Sequence, residues 1–81
     1  MSKTWREDPF QEGSSYRVRK SFGSLRDSFV AGEVLLYCES AYSAYDSQSG
    51  FFFADQNGKR RVWDIHDDEP LDIWSGFFEV I

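Results

Sequence analysis

One histidine and one cysteine occur among the 81 residues, so imidazole or thiol chemistry would have to be built around His66 or Cys38. His66 lies in "WDIHDDEP", where Asp64, Asp67, Asp68 and Glu69 supply the oxygen ligands that hard divalent cations prefer. The spacing lacks the Asp-x-Asp-x-Asp-Gly of an EF-hand, and a facial triad needs a second histidine. The run therefore reads as a solvated acidic turn that favours the N-terminus of a following helical turn. Cys38 sits in "VLLYCE" on the face of Val34 and Leu36, with no basic neighbour in sequence to activate a thiolate. It reads as a small buried hydrophobe. Gly-x-Ser-x-Gly and phosphate-cradling glycine loops are absent. Catalysis, a bound metal and a cofactor are not expected. The competing enzyme reading would need metal retained through purification or a reactive Cys38.

The net charge is −5, unevenly spread. Residues 1–32 carry six Lys/Arg against four Asp/Glu, whereas residues 33–81 carry three against ten. Phosphate backbones repel such a chain, and the short clusters Arg17, Arg19, Lys20 and Lys59, Arg60, Arg61 read as solvated strand faces. Nucleic acid is not an expected partner. No stretch approaches a membrane span, and "MSKTWREDPF" has no apolar run of signal-peptide length. A lone thiol suits a reducing compartment, so a cytoplasmic location is expected. A chain this short buries only about 60–65% of the surface its unfolded form exposes. The 19% aromatic content offsets that handicap, because aromatic rings carry the largest burial per residue.

The elements follow from pattern. Residues 1–13 show no period and read as an arm containing Trp5 and Phe10; the domain proper is 14–81. "SYRVRK" alternates apolar and basic residues, the mark of a half-buried strand. "VLLYCE" is a short apolar strand, and "SAYSAYDSQSG" reads as a polar loop. Asn57-Gly58 closes a hairpin between 51–55 and 60–65, the dipeptide suiting a two-residue type I′ turn. In that register Phe53 faces Val62 and Phe52 faces Trp63. One face then holds Phe51, Phe53 and Val62, and the other Phe52, Ala54, Trp63 and Ile65. Both faces are apolar, so something must cover each. The terminal aromatics Trp5, Phe10, Trp74 and Phe77 are expected over Phe52. Pro70 opens a single helical turn at about 70–75, Gly76 limits its length, and 77–81 forms the last strand.

"FVAGEVL" at 29–35 resembles the diverging-turn signature of SH3 domains, with Phe29, Gly32 and Glu33 at the characteristic spacing. The chain also resembles a family of short stand-alone bacterial proteins, which implies no activity. The SH3 resemblance implies an all-β fold, a small five-stranded antiparallel SH3-like barrel. It does not carry over a proline-recognition groove. The first strand reads "YRVRKSF", Gly50-Phe51 stands where a tryptophan pair belongs, and the chain ends in "LDIWSGFF".

Aromatics in loops and on a second sheet face therefore carry the functional expectation: a module that binds another protein or a second copy of itself. Its candidate contact residues are Tyr42, Tyr45, Phe52 and Trp63, with Asp46, Phe22 and Asp27 at the rim; Trp, Tyr and Arg dominate interface energetics. The alternative is an acidic antagonist, such as an immunity protein, that covers a basic site on its partner.

Overall fold

The computed structural model describes residues 7–81, so the expectation for Trp5 lies outside the described residues. The elements are β1 (Ser15–Val18), β2 (Phe22–Gly23), β3 (Ser28–Phe29), β4 (Val34–Ser43), β5 (Gln48–Ala54) and β6 (Arg60–His66). A 3-10 turn (Leu71–Ile73) then runs into the four-residue α1 (Trp74–Phe77), and β7 (Phe78–Val80) closes the chain. The fold is all-β, with one antiparallel sheet ordered β6-β5-β4-β1-β7 and a separate β2-β3 ribbon. Among the described residues a closed barrel is not found. β7 has only three residues, and side chains of the 24–27 loop occupy backbone amides at the β6 edge, so no strand ladder joins the two edges.

The β5-β6 hairpin corrects the expected register by one residue. Phe51 pairs with Trp63, Phe52 with Val62 and Phe53 with Arg61. The loop has three residues rather than two. The Asp55 carboxylate accepts the amides of Asn57 and Lys59, both at 2.9 Å, while Gly58 takes a positive φ of 80°. This is a turn ending in a left-handed glycine, the common three-residue hairpin form. Because side chains alternate, a one-residue slip exchanges the faces. Phe51, Phe53, Trp63 and Ile65 are all buried in the core, whereas Phe52 lies on the outer face beside Val62.

The polar stretch expected as a loop is instead a second hairpin. β4 runs to Ser43 and β5 begins at Gln48, with Ser43 opposite Gln48 and Ala41 opposite Gly50. Small residues tolerate this because Ser40 and Ser49 pack tightly, and among the described residues no buried side-chain polar atom lacks a partner. A bulge between Tyr37 and Glu39 lets β4 bend there. Cys38 stands at it, half-buried, its thiol 3.6 Å from the Leu36 carbonyl rather than in an apolar interior.

Phe10 is the centre of the core. It is 5% exposed, and its ring lies 5.1–6.0 Å from those of Tyr16, Tyr37, Phe51, Phe53, Trp63, Trp74 and Phe78, mostly edge-to-face. Edge-to-face packing sets the positive rim of one ring against the negative face of another. The Tyr37 hydroxyl donates to Asp8, tying the same segment down a second time. Burial, first, and that bond raise the Tyr37 pKa above its ordinary value. Truncating a fully packed phenylalanine costs about 3–5 kcal/mol, a large share of the roughly 4–12 kcal/mol available to a domain of this size. Phe10→Ala is therefore expected to lower the urea unfolding free energy by about 3–5 kcal/mol; a loss below about 1 kcal/mol would show that the ring is not the keystone.

Candidate functional site

Among the described residues, Phe52 is covered by two guanidinium groups rather than by Phe10, Trp74 or Phe77. Arg26 lies 5.6 Å and Arg60 5.0 Å from the ring centroid. Arg60 arrives from the neighbouring strand, where it pairs with Ala54. Arg26 arrives from the 24–27 loop, which folds along the β6 edge and fastens to it. Ser24 Oγ accepts the Asp64 amide at 2.8 Å, and the Asp27 carboxylate accepts the Val62 amide at 3.0 Å. Side chains thus fill the hydrogen-bonding positions that a further strand would otherwise take, one way of blunting a sheet edge.

Arg26 then makes a bidentate pair with Asp64, at 3.0 Å from Nε and 2.7 Å from Nη2. This bond, first, keeps the Arg26 guanidinium more firmly protonated than usual. The pair lies directly over Gly50. A Cβ at that position would stand 3.2 Å from Arg26 Nη2 and 3.3 Å from both the Asp64 carboxylate and the Phe52 ring. Glycine in a strand interior marks such a close approach.

These residues line a groove of about 450 Å³ on the outer face of β4-β5-β6. Ala41, Gly50 and Phe52 form its floor, Leu25 and Arg26 one wall, and Tyr42, Asp46 and Gln48 its far end. Of the residues expected to form a surface, Tyr42, Asp46 and Phe52 come together here. Tyr42 donates its hydroxyl to Asp67 at 2.6 Å, and Asp46 is held by Ser43 at 3.1 Å. Tyr45, in the turn joining β4 to β5, is 98% exposed beside the groove. The other three lie elsewhere. Trp63 is buried in the core on the opposite sheet face, and Phe22 stacks on Phe29 at 5.0 Å. Both border a separate cleft of about 330 Å³ on the far side of the loop. Asp27 holds the loop in place. Leu25, Arg26, Gly50 and Asp64 were not expected as lining residues; the one signal for them was a glycine between two strand-forming runs.

Arg61, beneath the ribbon, anchors the same loop from inside. It is 9% exposed, packs 4.9 Å from the Phe29 centroid, and donates to Glu33 at 2.8 Å and to the Ser28 carbonyl. Asp27 and Asp55 lie 3.7 and 3.6 Å away. His66 meets Asp68 at 3.4 Å, and among the described residues no group of three or more His, Cys, Asp and Glu is placed to hold a metal ion. No described helix is long and apolar enough to cross a membrane.

The fold is that of a small all-β protein with an open groove on one face of its sheet. No family model matches the chain, nor does any curated protein. Its structure is similar to that of an integron cassette protein from the mobile metagenome of Vibrio cholerae, with a TM-score of 0.76. The match covers 98% of this chain and 93% of that one at 22% sequence identity, which establishes a shared fold.

The Arg61 hydrogen bond, opposed by desolvation, holds the Glu33 carboxyl below its ordinary value of 4.5. A depressed folded-state pKa adds stability that is complete above the unfolded value and disappears as pH falls through the folded one. Unfolding free energy is expected to decline on acidification below about pH 5, and Glu33→Gln should flatten part of that decline in urea titrations across pH. An unchanged profile in the variant would remove Glu33 as a contributor.

Proposed function

We propose that this chain is a small bacterial SH3-like module that works by binding protein through the outer-face groove and catalyses nothing. The observation that carries this reading is the groove itself: a floor of Phe52, Ala41 and Gly50 beside an exposed Leu25, with the fully exposed Tyr45 next in sequence to the lining residue Asp46. Aromatic side chains on a rigid sheet offer contact area at little entropic cost. The SH3-like assignment is supported by the turn at Gly32, where φ is 93° and the Glu33 carboxylate accepts the Val30 amide at 2.7 Å. It is also supported by the ribbon between the first two long strands and by the helical turn before the last one. A bacterial source fits the structural neighbour. The non-enzymatic reading is supported by aromatic rings filling the interior.

The acidic antagonist is the second reading, favoured by the 67–69 turn, where the Asp68 side chain is 92% exposed. Affinity capture with the whole chain separates the two. Tyr45→Ala, at a site with no packing to lose, is expected to release the captured protein, as is Tyr42→Ala; retention of every partner by both variants overturns the groove reading. Capture that collapses in high salt while ignoring both tyrosines selects the antagonist instead.

A further inference from the structure

We propose that the cleft on the far side of the 24–27 loop binds a small, uncharged aromatic amide, held by the indole N–H of Trp63. The cleft is separate from the outer-face groove, so the inference does not rest on the protein-binding reading. The argument begins in the core. Trp63 is 4% exposed, and its ring lies 5.5–6.0 Å from those of Phe10, Phe51 and Phe78. A phenylalanine would fill such surroundings without bringing a polar atom.

A buried indole N–H ordinarily finds an acceptor. Among the described residues nothing accepts the one on Trp63. Nor does any fully enclosed side-chain nitrogen or oxygen among them lack a partner, so this N–H keeps its contact with solvent. The opening that Trp63 borders is the cleft of about 330 Å³. A donor on an otherwise buried side chain thus faces a cavity at the small end of the range that holds organic ligands.

The lining states which ligand. Phe22 and Phe77, with ring centroids 4.2 Å apart, and Ile73 supply apolar walls against which a flat ring packs well. The polar lining includes Asp64 and Glu69, and among the described residues no lysine or arginine lines the cleft. Lys20, 5.0 Å from the Phe77 centroid, stands outside it. Asp64 is committed to Arg26 at 2.7 Å, and Glu69 accepts the His66 amide at 3.2 Å through one oxygen. Carboxylates only accept hydrogen bonds, and they repel anions.

The ligand must therefore accept from the indole and carry no negative charge. A carboxylate fails the second condition. A protonated amine or a plain hydrocarbon ring fails the first. A carboxamide or lactam on an aromatic ring meets both, and its own N–H offers a donor to the carboxylates.

Titration of the full chain with benzamide, followed by nitrogen–proton NMR, tests the site, with benzoate and benzylamine as matched probes. Benzamide is expected to shift the Trp63 indole resonance and the Ile73 and Phe77 backbone amides saturably, in the millimolar range that suits so small a ligand. Benzoate and benzylamine are each expected to bind about tenfold more weakly or worse. Trp63→Phe keeps a ring and removes the donor; it should weaken benzamide about tenfold, read at Ile73 and Phe77, with circular dichroism confirming the fold. Ile73→Trp fills the cleft from its half-buried wall and should abolish binding with the core untouched, which keeps the test open if Trp63→Phe does not fold. The absence of a saturable shift at Trp63, benzoate binding as tightly as benzamide, or benzamide binding that survives Ile73→Trp overturns the proposal.

Discussion

The Asp55 carboxylate, accepting two amides of its own turn, is the constraint on which the structure depends. It sets a three-residue loop, and that loop fixes which residues of β5 and β6 stand opposite each other. From this register follow the burial of Phe51, Phe53, Trp63 and Ile65 and the outward placement of Phe52, Val62 and Asp64. The core needs the first set, since Phe10, Tyr37 and Phe78 all pack on members of it. The groove needs the second set, since its floor and its fixed charge come from outward-facing positions. A slip of one residue would empty both.

The 24–27 loop depends on the same arrangement. Its hydrogen bonds go to the amides of Val62 and Asp64, two residues apart, which only an edge strand presents on one side. Its charged bonds go to Asp64 above the sheet and, through Arg61, to Glu33 and Asp27 below it. One short segment therefore shields a strand edge, closes a wall of the groove and covers a buried guanidinium. Such a guanidinium would be costly to leave without acidic partners. Here three surround it.

Much of this was legible in the sequence, and the limits have physical causes. The five main strands and the helical turn before the last strand follow from local pattern, and the turn at Gly32 from the diverging-turn resemblance. The hairpin between β5 and β6 was legible as a hairpin but not in register. Asn-Gly suits a two-residue loop, and only the side chain of Asp55, one residue before the loop, tips the choice to three. The β4-β5 hairpin was hidden because Ser, Ala and Gly carry no strand preference; Gly50 is the one that leaves room for Arg26 and Asp64. Phe10 looked peripheral because its partners come from every other part of the chain, and such contacts leave no local period. Trp63, Phe22 and Asp27 were assigned to a surface on residue type, while burial and loop anchoring decided their actual places.

Phe52 brings a further consequence. Its ring is shielded by two side chains that are themselves more than half exposed, Arg26 held by its bidentate bond to Asp64 and Arg60 only by a looser pairing with Glu39 at 3.7 Å. A cation over an aromatic face at such a site contributes about 0.5–1 kcal/mol. That is enough to keep greasy molecules from adhering at random, yet small beside the energy of a specific contact. The two halves of the shield therefore differ in stiffness: Arg60 can swing off the ring by giving up one exposed ion pair, whereas moving Arg26 breaks two charged hydrogen bonds.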